Sequence, residues 1–212
     1  MTASLSPLLP DERLASSAAR LAARHQGTCS VETVQRLLAD SYTRLAAQAR
    51  VRNHLIVLAE RLATERLDAL ADIAKAPPTR PLRVLFVCSG NAGRSQMAAA
   101  LLAARADGGV VVSSAGTTPS LDVQTEVTQV LLEAGIDLGD TYPKPLTDEV
   151  INAADIVITM GCGDACPVIE GHRYLDWPVP DPDGAPLAVV RRIRDDIDAH
   201  VSELLNSLPA TA

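Results

Sequence analysis

Aromatic side chains are nearly absent from this sequence, with one Phe, one Trp and three Tyr among 212 residues. Its core must therefore be built from Leu, Val, Ile and Ala, and single-stranded nucleic acid stacked on aromatic platforms is not an expected ligand. Long hydrophobic runs are missing too. No stretch approaches the roughly 18 apolar residues of a membrane span, and residues 1–10 lack the basic region and apolar run of a secretory signal, so a cytoplasmic location with no membrane partner is expected. Positive charge is scarce in the larger part of the chain. Residues 77–212 hold nine Lys/Arg against eighteen Asp/Glu, a net −9, whereas residues 1–76 hold ten against eight, a net +2. A −9 segment is a poor nucleic-acid binder. An anionic substrate would have to be drawn by donors aimed at its site, because the overall field repels it.

The hydrophobic content of 47% and the charged content of 21% are those of an ordinary globular chain. Its length suits one domain of moderate size with a small companion. Pro77, Pro78 and Pro81 mark the boundary, since proline removes backbone donors and disfavours helix in the residue before it. We read residues 1–76 as a three-helix bundle, 77–81 as a proline-rich linker and 82–212 as an α/β domain. In the bundle, Leu14, Ala18, Leu21 and Ala22 share one face of a helix that Gly27 stops. Ser30 caps a second helix carrying Val34, Leu37, Leu38, Ser41, Tyr42 and Leu45, and Leu55, Leu58, Leu62, Leu67 and Leu70 mark a third. Beyond the prolines, apolar runs at residues 83–87, 110–112 and 155–160 read as strands. They alternate with helices expected over 95–105, 122–134 (capped by Asp122 and ended by Gly135), 147–153 and 187–208. That alternation predicts a parallel sheet covered on both faces, with its site beyond the carboxyl ends of the strands.

The chemistry concentrates where the first of these strands ends. Cys88 is followed by Ser89, Gly90, Asn91, Ala92 and Gly93, and then Arg94 and Ser95 open a helix. Two glycines let successive backbone N–H groups face inward as a nest, the helix N-terminus adds positive partial charge, and Arg94 offers a bidentate fork to a tetrahedral oxyanion. The same surroundings favour a thiolate, so Cys88 is the candidate nucleophile and Ser95 Oγ a candidate donor to it. The competing reading, a buried core cysteine beside an unrelated arginine, leaves the strand–loop–helix context unexplained.

The loop resembles that of the low-molecular-weight protein tyrosine phosphatases and of the arsenate reductases that share their fold, a likeness covering about residues 82–208. Ser114-Ala115-Gly116-Thr117 and Asp181-Pro182 are similar to two further signatures of that family. The resemblance implies a four-stranded parallel sheet with flanking helices, and it makes Asp181 the general acid that supplies a proton to the departing oxygen.

Cys162 and Cys166, in Gly161-Cys162-Gly163 and Ala165-Cys166-Pro167, separate the two branches. A phosphatase needs one cysteine, whereas reduction of arsenate consumes two electrons and needs a second thiol to displace arsenite and leave a disulfide. This cysteine pattern resembles the arsenate-reductase branch. It implies a redox relay of Cys88, Cys162 and Cys166, with thioredoxin as the external reductant and phosphate or sulfate as competing oxyanions. The scarcity of lysine, two against seventeen arginines, fits a GC-rich genome and keeps mycothiol with mycoredoxin open as the alternative. Tyrosine phosphatase activity is the alternative function, although Asp183 and Gly184 stand where phosphatase relatives carry aromatic residues. Read from the residues alone, Cys162 and Cys166 could also be inert or, with His172, an incomplete zinc site. Because Ala99 replaces a glutamate of potassium-binding relatives, no potassium site and no resident cofactor or metal are expected. Cys29, His25, His54 and His200 read as packing residues. The bundle resembles a helical extension of some actinobacterial members of the reductase branch, and a stabilising or docking role is expected for it.

Overall fold

The computed structural model describes residues 12–47, 49, 54–75, 80–106 and 108–208. Residues 77–79 of the proposed linker lie outside them. The contacts divide the chain into two compact units, residues 1–80 with 147–153, and residues 81–146 with 154–212.

The first unit is built on α1 (Glu12–Arg24), α2 (Val31–Ala46) and α3 (Leu55–Ile73). Apolar residues at helical spacing supply its core, with Leu14, Leu21, Val34, Leu37, Leu38 and Leu67 all buried. Ser30 caps α2 as the sequence suggests, accepting a 3.2 Å hydrogen bond from Thr33 N. A short helix that follows much later in the chain, α6 (Asp148–Ala153), belongs to this unit and packs on α3. Arg66 is buried among these helices. Its Nη1 donates to Asp40 Oδ2 at 2.6 Å and Ser41 Oγ at 3.0 Å, while Nε and Nη2 fork onto Glu149 at 2.9 and 3.0 Å. A buried guanidinium with every edge satisfied is tolerable, whereas one left unpaired is not.

The second unit is a four-stranded parallel sheet in the order β2-β1-β3-β4, formed by β1 (Leu82–Cys88), β2 (Val110–Gly116), β3 (Ile156–Met160) and β4 (Arg173–Asp176). In β1 the six residues after Leu82 are all buried, which is why it reads as an unbroken apolar run rather than an alternating one. Between the strands and after them come α4 (Arg94–Arg105), α5 (Thr125–Glu133) and α7 (Leu187–Ser207), with α4 packed on β1, β2 and α7. The core joins Phe86, Met97, Val130, Ile158, Trp177 and Ile193.

The four-stranded sheet implied by the family resemblance is present, but three details differ. The position of its fourth strand, β4, is not marked in the sequence, because Arg-Tyr-Leu-Asp at a sheet edge presents no apolar run. Strand β2 extends to Gly116 through residues too polar to be counted as strand. Asp122 does not cap α5, which begins at Thr125 after Gln124. The residues before it are committed to the loop after β1, whose carbonyls they bond.

Candidate active site

Strand β1 carries Cys88 to the carboxyl edge of the sheet, and residues 89–93 turn from there into α4. The Cys88 side chain is buried. Its Sγ lies 3.0 Å from Ser95 Oγ and accepts a 3.2 Å hydrogen bond from Asn91 N. Asn91 holds the loop's shape. It has φ +47°, a left-handed conformation that side-chain-bearing residues adopt at a cost. Buried hydrogen bonds stabilise that conformation. Asn91 Oδ1 accepts from Lys144 N at 2.9 Å and Gln96 Nε2 at 3.2 Å, Asn91 O accepts from Gln96 Nε2 at 3.0 Å, and Asn91 Nδ2 donates to Ser95 Oγ at 2.8 Å. With one lone pair of Ser95 Oγ taken by Asn91, the hydroxyl still has its proton to offer a Cys88 thiolate.

A strap after β2 explains why the loop's N–H groups can face inward. Thr117 N donates to Cys88 O at 3.2 Å, Thr118 N to Ser89 O at 2.9 Å, Ser120 N to Gly90 O at 2.8 Å and Gln124 N to Ala92 O at 3.0 Å. With the carbonyls satisfied on the outside, the amides are available to an anion. The strap is the element that sequence reading missed, and its last residues, 122–124, take the start of the stretch assigned there to a capped helix. The Ser-Ala-Gly-Thr signature was its one visible trace.

A cavity of about 250 Å³ opens over Cys88, lined by Gly93, Arg94, Gln124, Asp181 and Asp183 among others. It suits a small tetrahedral oxyanion. Among the described residues that line it there is no aromatic ring. Arg94 is buried, and its Nη2 donates to Asp181 Oδ2 at 2.5 Å, so the cation and the expected general acid sit at one mouth although 87 residues apart in sequence. Gly161, at φ +69°, lies against the Arg94 guanidinium. A Cβ there would collide with the Arg94 guanidinium, so only glycine allows the arginine its position.

Cys162 follows at once. It lies two residues beyond the end of β3, whose Met160 is in register with Cys88 of β1, and Ser89 Oγ donates to Gly161 O at 3.2 Å. Cys162 is buried, Cys166 is half-buried, and the two are joined as a disulfide with Cα atoms 5.7 Å apart. His172 is not beside them as a ligand, since its Nδ1 bonds Ala154 O at 2.6 Å, and among the described residues no three His, Cys, Asp or Glu are grouped to hold a metal. Cys29 is half-buried against the bundle core, and burial pushes its thiol up. His25 is buried, and His200 stacks on Trp177 with centroids 5.0 Å apart. His54, by contrast, is exposed just before α3 and packs against little.

Residues 83–212 match the family described as low molecular weight phosphotyrosine protein phosphatase, and residues 14–71 match the protein-tyrosine-phosphatase-like N-terminal domain. The chain belongs to the low molecular weight phosphatase family. Within it, this family member resembles proteins named for two chemistries. The solved structure of a Corynebacterium glutamicum thioredoxin-dependent arsenate reductase is 42% identical, covers 94% of this chain and 98% of its own, and superposes with a TM-score of 0.84. A glutaredoxin arsenate reductase of Synechocystis is 32% identical over 58% of this chain and 95% of its own length. A protein-arginine-phosphatase of Geobacillus stearothermophilus is also 32% identical, over 60% of this chain and 97% of its own. The phosphatase-fold region is thus shared across the family, and the N-terminal helical region is included in the match to the corynebacterial enzyme.

Proposed function

We propose that this chain reduces arsenate to arsenite, with Cys88 as nucleophile and Cys162 and Cys166 as the relay that carries the oxidising equivalents to an external dithiol of the thioredoxin kind. The observation that carries this reading is the Cys162–Cys166 disulfide in the loop that follows β3, the strand paired with that of Cys88. A phosphatase has no use for it.

In this mechanism arsenate enters the loop as an oxyanion, gripped by inward amides and Arg94. The Cys88 thiolate attacks arsenic and an oxygen leaves with a proton that Asp181 supplies. Cys162 then attacks Cys88 Sγ. The electron pair of the As–S bond passes to arsenic, which leaves as arsenite, and a Cys88–Cys162 disulfide remains. Cys166 attacks Cys162, returning Cys88 as a thiolate and leaving Cys162–Cys166. The external dithiol supplies two electrons to reopen that bond. The more accessible Cys166 sulfur is its point of attack.

A coupled assay tests both the reaction and the reductant. With thioredoxin, thioredoxin reductase and NADPH, arsenate should drive NADPH consumption that is lost in Cys88→Ser, Cys162→Ser and Cys166→Ser alike. Turnover only with mycothiol and mycoredoxin would keep the reductase and replace the reductant. Catalytic hydrolysis of p-nitrophenyl phosphate with no arsenate-driven oxidation would replace the reductase with a phosphatase.

A further inference from the structure

The two relay cysteines ride on a segment bounded by backbone pivots. Gly161, Gly163 and Gly171 have φ of +69°, +50° and +88°. A Cβ at Gly163 or Gly171 would meet nothing within 4 Å, so packing does not dictate these glycines and the backbone conformation does. The first end is tethered by Ser89 Oγ to Gly161 O, and a short 3-10 turn, Gly163–Ala165, leads to Cys166. Beyond Cys166 the fastening comes from a side chain. The hydroxyl of Tyr174, in β4, accepts a hydrogen bond from Ile169 N at 3.0 Å and donates one to Pro167 O at 3.1 Å. One oxygen thus satisfies a backbone donor and a backbone acceptor two residues apart. Pro167 is bonded directly to Cys166. Tyr174 itself is anchored by β-pairing in register with Val157 of β3.

We propose that Tyr174 is a positioning residue for the second thiol exchange, its hydroxyl latching Pro167–Ile169 to the sheet edge so that Cys166 is held within reach of Cys162. This rests on the relay described above. In the step concerned, the Cys166 thiolate attacks Cys162 Sγ. The Cys162–Cys166 bond forms, the Cys88–Cys162 bond breaks, and Cys88 departs as a thiolate. No net oxidation occurs within the protein, and the proton given up by Cys166 goes to solvent. Both the rate of this step and the stability of its product scale with the effective concentration of Cys166 at Cys162. The first exchange, between Cys162 and Cys88, takes place at the other end of the segment and is independent of the latch.

Tyr174→Phe removes the hydroxyl and keeps the ring. Loss of two hydrogen bonds on a partly exposed group should lower the effective concentration about 10-fold. In a two-electron couple a tenfold change corresponds to about 30 mV, so the Cys162–Cys166 potential should rise by that amount in a dithiothreitol redox titration. In a single turnover without reductant the variant should release arsenite at the wild-type rate, but thiol mapping should catch the Cys88–Cys162 species accumulating. An unchanged potential with an unchanged order of disulfides would overturn the latch. So would an arsenite release slowed as much as the second exchange, which would make the hydroxyl a general support of the fold. If the wild-type protein releases no arsenite, the relay itself fails, and the titration, which needs no arsenate, still decides whether the hydroxyl holds Cys166 at Cys162.

Discussion

Arg94 and Asp181 share one hydrogen bond at the mouth of the site, and their separate roles can be told apart by substitution. Arg94→Lys keeps the charge and loses the planar fork, so it cannot match a tetrahedral oxyanion at two points. Turnover should fall by about 10²-fold, as for loss of one oxyanion donor, and the affinity for competing phosphate should fall with it. Asp181→Asn should lower turnover by about 10²–10⁴-fold while leaving phosphate binding nearly intact, the signature of a lost proton donor. Steady-state kinetics with phosphate as a competitive inhibitor separate the two; equal losses of binding in both variants would contradict this division. At this scale much of the site was legible. Cys88, Arg94 and Ser95 stand within eight residues of one another, and their spacing already describes a loop opening a helix. Asn91 was legible only as a loop member, because its partners Lys144 and Gln96 are set by the fold. Tyr174 was invisible for the same reason.

Buried Arg66 links three helices, and its partners make a pH signature. Burial pushes the carboxyls of Asp40 and Glu149 up, but hydrogen bonds and charge from Arg66, joined by Arg44 at Asp40, outweigh this and hold both below the usual carboxylate range. A folded-state value below the unfolded one contributes stability that is fully present above the unfolded value, near pH 4, and is lost as pH falls through the folded values. Arg66→Met should cost about 3 kcal/mol at neutral pH by leaving Glu149 without its partner, and it should flatten the acid limb of the stability curve. Chemical denaturation followed by helical circular dichroism from pH 3 to 7 measures both; a variant as stable as wild type, with the same acid limb, would remove the network from the stability of this unit. Among the elements, legibility followed burial. Strands β1 and β3, covered on both faces, announce themselves as apolar runs, and α2 by its serine cap and periodic leucines. The edge strand β4 and the strap at 117–124 do not, since their bonding is to residues remote in sequence and leaves no pattern in their own.

For the molecule as a whole, the chain order and the compact units differ at α6, which follows residues of the phosphatase-like unit and packs with the helical one. The proline-rich stretch predicts two segments. It carries no hint that a helix 70 residues further on would join the first, because six residues with no internal period cannot say which neighbour they will meet. Net charge behaves more simply. The −9 carried by residues 77–212 gives no attraction to an oxyanion, so in the mechanism proposed above capture falls to Arg94 and the loop amides. The central claim is that the cysteines of this unit pass two electrons to arsenic in sequence. It is tested most directly by giving fully reduced protein excess arsenate with no external reductant, then measuring arsenite and mapping disulfides by mass spectrometry. About one arsenite per chain should appear, with two thiols consumed and Cys162 joined to Cys166, as one disulfide balances one two-electron reduction. Cys162 and Cys166 still reduced after arsenate treatment, with no arsenite released, would contradict it.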